Sequence, residues 1–118
     1  MAPKRLATLQ RFPAAKQPLI VLTTFSSFPE ARRFARVVIQ KRLAGCVNLL
    51  PGIESWYRWQ GKVEHGKEIL LFIKTSSSKL RSLADFLKRH HSYELPELVV
   101  LPISWAESAY AKWLFENV

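Results

Sequence analysis

The chain predicts an α+β protein, a ferredoxin-like βαββαβ sandwich closed by a C-terminal helix, and three features of the sequence predict it. The apolar run "LIVLTTF" (Leu19 to Phe25) has the composition of a strand covered on both faces, and it opens the folded part. Between Cys46 and about Thr75 two extended segments turn back on each other near Gln60-Gly61. Two helical stripes fall between these strands and a last apolar strand, so the order is β, α, β, β, α, β, then a short helix. Two crossovers around a central hairpin place both helices on one face of the sheet.

Each element carries its own signals. In "SFPEARRFARVVIQKRLAG", Ser27 and Glu30 read as a capping box with Pro29 in the first turn, and Gly45 follows the last turn. Ala31, Phe34, Ala35 and Val38 form its buried stripe and leave Arg32, Arg33, Arg36 and Lys41 to water. The hairpin is interrupted at Pro51-Gly52, where a bulge is expected. Period-two alternation in its second arm sends Glu68, Leu70, Phe72 and Lys74 to one face and Ile69, Leu71 and Ile73 to the other. Ser76 to Ser78 are expected to cap a helix with the stripe Leu80, Leu83, Ala84 and Leu87, stopped before Pro96. The strand "ELVVLPI" contains Pro102, which suits an edge, and an edge this apolar calls for a covering partner. Ser104 and Glu107 read as a second capping box for the last helix.

At 118 residues and 48% hydrophobic content the chain is long enough for one domain with its own core. Residues 1–18, with Pro3, Pro13 and Pro18 and no acid, read as a basic flexible arm, and 19–118 as the domain. No apolar run approaches a membrane span and no secretory block opens the chain, so the cytoplasm is expected and a membrane is not. The lone Cys46 excludes an intramolecular disulfide framework. The net charge of +9 is uneven: residues 1–42 hold nine Lys/Arg against Glu30 alone, while the other 76 residues are nearly balanced. The excess therefore belongs to a tail and one helix face, and a nucleic-acid partner is not expected.

The chemistry visible in single residues is sparse. His90 and His91 sit at the end of the second helix, but neighbours on a helix diverge by about 100° and do not readily share one ion. The plain structural alternative is that one packs and the other meets the negative helix end. Trp56, Tyr57 and Trp59 around Arg58 could stack on a planar ligand or pack at an interface. No phosphate loop, catalytic triad signature or His-Glu-x-x-His motif is present, which gives no reason to expect an enzyme.

Taken in order, "KRLAGCVNLLPGIESWYRWQGKVEHGKEILLFIKT" and "LKRHHSYELPELVVLPI" resemble the CutA divalent-cation-tolerance family, from about Leu19 to the end. The matching elements are Ala44-Gly45-Cys46, Pro51-Gly52, Trp59 with Gly61-Lys62, Glu68, Lys74-Thr75, His91, Tyr93, Pro96 and Glu97. The resemblance implies a PII-like homotrimer, not an established enzyme family, linked to tolerance of copper and other divalent ions. It implies a divalent metal ligand, Cu or Zn, and no organic cofactor. In relatives described as copper-binding, a cysteine at the end of the first strand joins the histidine pair, so the implied metal positions here are Thr23, His90 and His91. Threonine is a departure, because its hydroxyl is a poor ligand for soft Cu(I). The alternative implied by the PII-like architecture is a small-ligand sensor with an inter-subunit cleft lined by Trp59, Glu68, Lys74, Tyr93 and Glu97.

Overall fold

The structure, a computed structural model, describes residues 6–118. Its strands and helices follow the expected order, with two short strands added at the periphery: β1 (Leu9–Arg11), β2 (Pro18–Phe25), α1 (Phe28–Gln40), β3 (Cys46–Trp59), β4 (Lys62–Ser76), α2 (Leu80–His90), β5 (Val99–Pro102), β6 (Trp105–Glu107) and α3 (Ser108–Glu116). The main sheet runs β3-β4-β2-β5 with every neighbouring pair antiparallel. That is the split-βαβ order, in which α1 and α2 each link two strands separated by a third.

One face of this sheet is packed by α1 and α2, and the other is only partly covered. Val21, Phe25, Leu71 and Ile73 are fully buried beneath Ala31, Val38, Leu83 and Leu87 of the helices. The alternation read along β4 holds, because Ile69, Leu71 and Ile73 are buried while Glu68, Leu70, Phe72 and Lys74 keep partial exposure. Opposite residues of an antiparallel pair share a face. The second face therefore collects Ile20, Leu22, Leu50, Leu70, Phe72, Val99 and Leu101, through the pairs Leu22↔Phe72, Leu50↔Leu70, Ile20↔Leu101 and Leu22↔Val99. Val99 and Leu101 are 45% and 43% exposed, so β5 is an apolar edge as expected.

The hairpin of β3 and β4 gives the molecule its length. Its tip is a two-residue turn with φ of 50° at Gln60 and 79° at Gly61, a conformation whose twist matches that of paired strands. At Leu50/Ile53 the register slips, and Gly52 takes φ of 76°, so the bulge expected at Pro51-Gly52 is present. The overall extents are 56 × 30 × 25 Å and the radius of gyration is 16.2 Å, against about 13–14 Å for a compact chain of this length.

Three local expectations are corrected. The segment before Leu19 is not a free arm over its described part: Leu9–Arg11 pairs with Trp105–Glu107, and Phe12 is 7% exposed, 5.7 Å from the Phe115 ring. Residues 1–5 of that arm lie outside the described residues. Ser104 does not cap α3, because Trp105–Glu107 is held in β6 and the Ser104 carbonyl accepts from the Phe12 N–H. Glu107 is the cap instead, its carboxylate accepting from the Tyr110 N–H at 2.9 Å. Ser76 to Ser78 supply no side-chain cap to α2, which begins from a 3₁₀ turn at Ser77–Lys79. The Ser27 cap of α1 does form, accepting from the Glu30 N–H at 3.3 Å.

Packing of the N-terminal segment gives the first prediction. Phe12→Ala should lower stability by about 2 kcal/mol, less than a central phenylalanine because the site lies at the periphery. Chemical denaturation of wild type and variant measures it, and an unchanged midpoint would show that the segment contributes nothing.

Candidate functional site

The turn after α2 is fixed by short-range bonds on both sides. His91 is 8% exposed and lies stacked on Phe25, ring centroids 4.1 Å apart and interplanar angle 14°. Its Nδ1 accepts from the Tyr93 backbone N–H at 3.0 Å, and its Nε2 lies 2.7 Å from the Thr24 carbonyl oxygen. A backbone N–H can only donate and a carbonyl can only accept, so Nδ1 is bare and Nε2 carries the proton. Next to it, Ser92 donates from its backbone N–H and its hydroxyl to the two carboxylate oxygens of Glu30, at 3.1 and 2.9 Å. Glu30 is thereby drawn away from the reciprocal half of its capping box and used to hold the turn.

This clamp aims Tyr93 at the sheet. Its hydroxyl donates to Glu68 Oε2 at 2.7 Å, just beyond the bulge where Glu68 pairs with Ile53. Burial alone would raise the Glu68 carboxyl, but hydrogen bonding from Tyr93 and the hydroxyls of Ser55 and Thr24 outweighs it and holds the group below the usual 4.5. Burial, and then the bond to Glu68, push the Tyr93 phenol up to about 12. The pair is therefore a carboxylate and a neutral phenol across the neutral range.

A cleft of about 770 Å³ opens around this pair. Trp56, Tyr57 and Trp59 from β3 wall one side, and the segment Glu94 to Val99 walls the other. Of the residues expected to share a cleft, Trp59, Glu68, Tyr93 and Glu97 do come together. Lys74 does not. It stands further along β4, where its ammonium donates to the Tyr110 hydroxyl at 3.4 Å. Trp56 and Tyr57, which the sequence offers as a stacking surface, also line the cleft, while Ser55, Glu94 and Leu95 carry no signal in the sequence that marks them.

The implied metal positions do not assemble in the same way. Thr23 is fully buried on the packed face of β2, and its hydroxyl has no hydrogen-bond partner. His91 has both ring nitrogens engaged, while His90 is exposed with its ring 4.3 Å from Phe86. No group of three or more His, Cys, Asp or Glu suited to hold a metal occurs among the described residues. The trio of Thr23, His90 and His91 thus does not fit a copper site in this chain, because one member is a core hydroxyl and another has no free lone pair.

Comparison with known proteins places these features. The family model described as CutA1 divalent ion tolerance protein matches residues 19–117. The chain belongs to this CutA family. A divalent-cation tolerance protein CutA of Thermus thermophilus is 43% identical over 98 residues, 83% of this chain and 95% of that protein. The human protein CutA is 45% identical over 84 residues, 71% of this chain, and the chain spans only 47% of its length. Among solved structures, CutA from Synechococcus elongatus, complexed with a Bis-Tris molecule, superimposes with a TM-score of 0.85 at 32% identity, covering 94% of this chain and 100% of that one. The fold shared with these CutA structures is the ferredoxin-like sandwich. No helix among the described residues is long and apolar enough to cross a membrane.

Two predictions follow from the clamp and the pair. His91→Ala should destabilise by about 2 kcal/mol through lost packing and an unpaired Thr24 carbonyl, while His90→Ala should shift the melting temperature little. Equal melts for the two variants would contradict the assignment. For Tyr93 the sign is fixed by the raised phenol: its contribution to stability is complete below about pH 10 and is lost as pH rises toward 12. Absorbance titration at alkaline pH should show one phenol ionising near 12, and Tyr93→Phe should remove that step.

Proposed function

We propose that this chain serves divalent-cation tolerance as a homotrimeric binding protein, not an enzyme, and that it works as a PII-like receptor for a small ligand in the Glu68–Tyr93 cleft. One observation carries the reading: side chains from β2, β3, β4 and the turn after α2 converge on the cleft, and its polar centre is held by bonds that leave open space in front of it. Four aromatic residues, Trp56, Tyr57, Trp59 and Tyr93, and three carboxylates, Glu68, Glu94 and Glu97, line it without a lysine or arginine. Such a lining suits a small polar ligand with cationic character. That the Synechococcus relative is described in complex with Bis-Tris, an amine bearing several hydroxyls, is in keeping with this.

The trimer is supported by the half-exposed apolar residues of the second sheet face, by the exposed Val99 and Leu101 of the β5 edge, and by the number of copies the resemblance implies. Copper and zinc are a second reading, supported by the family description. With Thr23 in place of a thiolate, such binding rests on exposed His90 and the cleft carboxylates and is weak.

Sedimentation of the full chain should give about three times its 13.6 kDa mass at micromolar concentration. Titration calorimetry in a buffer free of Bis-Tris should then show Bis-Tris binding that falls at least tenfold in Glu68→Gln and in Trp59→Ala. Submicromolar Cu(II) or Zn(II) binding abolished by His91→Ala in a folded protein, with no response to Bis-Tris, would overturn the receptor reading in favour of direct metal capture.

A further inference from the structure

The outer surface of the helix layer collects cations from two distant parts of the sequence. Arg32, Arg33, Arg36, Lys41 and Arg42 come from α1 and its end, and Lys79, Arg81, Lys88 and Arg89 from α2 and the turn before it. These nine are half of the 18 Lys/Arg in the chain, and only Glu30 and Asp85 oppose them on the same elements. Glu30 is already spent on Ser92. The two helices meet through Phe34 and Phe86, ring centroids 5.8 Å apart, and the Lys41 ammonium reaches across to lie 5.9 Å from the Phe86 ring that also carries His90. The cations thus form one continuous field.

Among the described residues no side-chain carboxylate pairs with it, and only the Arg42 side chain donates a hydrogen bond elsewhere, to the Glu116 carbonyl at 2.7 Å. The single ion pair there is Lys112–Glu116 on α3, and none of the nine is in it. Eight of the nine are exposed, Lys79 being half-buried. The only large apolar side chain exposed on α1 or α2 is Ile39, at 39%. A second copy of this chain is a poor occupant, because two such faces would repel, and the half-exposed apolar sheet face on the opposite side is the better surface for self-association. In the proposed oligomer the basic layer stays outside and is repeated on each subunit.

We infer that this helix layer binds the phosphodiester backbone of nucleic acid, without reading its sequence. Guanidinium groups, six of the nine cations, match phosphate oxygens with paired N–H donors. The aromatics on the layer, Phe28 and Phe86, lie beneath Arg32 and Lys41 and offer no stacking platform, so recognition stops at the backbone. An anionic bilayer is the less suited polyanion. The layer presents almost no apolar group to insert, and outward-facing patches on one oligomer cannot all meet a plane, whereas a polymer can pass from one to the next.

The test uses the full chain and a fluorescein-labelled 20-base-pair duplex in anisotropy titrations. At 50 mM salt the wild type should bind with a dissociation constant on the order of micromolar, independent of sequence, and weaken steeply toward 200 mM. The triple variant Arg33→Glu, Arg36→Glu, Arg89→Glu should lose at least tenfold. A control of equal charge change away from the layer, Arg11→Glu, Lys16→Glu, Lys112→Glu, should lose less than threefold, and circular dichroism should show both folded. Equal losses in the two variants would reduce the effect to net charge and overturn the proposal. So would absence of duplex binding at 50 mM salt, or binding confined to vesicles of 70% phosphatidylcholine and 30% phosphatidylserine.

Discussion

A buried imidazole holds the cleft end of this molecule together. His91 sits between Phe25 and Tyr93, gives its one proton to the Thr24 carbonyl and takes the Tyr93 N–H on its other nitrogen. The chain leaving α2 is thereby fastened to β2 at the point where it would otherwise run free. Ser92, anchored on Glu30, fastens the same turn to α1. Tyr93 can then meet Glu68 at 2.7 Å, and the cleft wall from Glu94 to Val99 follows from that placement. Two backbone bonds to one ring thus convert a helix end into the back of the cleft.

The same arrangement explains why a histidine pair need not be a metal pair. A metal ligand offers a lone pair, and His91 has committed one nitrogen to an N–H donor and protonated the other. Drawing it into coordination would leave the Thr24 carbonyl and the Tyr93 N–H unpaired in a site with little access to water. Thr23, facing the core with an unpartnered hydroxyl, is equally unsuited as a replacement for a thiolate.

The two faces of the sheet divide the labour. Helices seal one face and carry cations outward, while the other leaves Leu22, Leu70 and Phe72 half-exposed. The long hairpin extends away from this core with Trp56 63% exposed, held by its own ladder, the stacking of Trp56 on His65 and local bonds such as Trp56 to Glu54. A ribbon so poorly buried is the part of a chain most in need of intermolecular cover.

The strand order, the alternation along β4, the Ser27 cap and the bulge at Pro51-Gly52 were legible in the sequence, because each is set by side-chain period or turn chemistry within a few residues. The family was legible as well, since its motifs lie in contiguous stretches. What sequence could not decide was pairing between distant segments. The pairing of Leu9–Arg11 with Trp105–Glu107 turned an apparent arm into structure and displaced the expected Ser104 cap. Glu68 and Lys74 share one face of one strand six residues apart, and the structure decided that the cleft reaches only Glu68. The cations of α1 and α2 looked like a local excess and a balanced remainder until packing through Phe34 and Phe86 laid them side by side. Periodicity specifies which face of an element is buried, but which faces then become neighbours depends on contacts between residues far apart in the chain, and only the folded structure contains those.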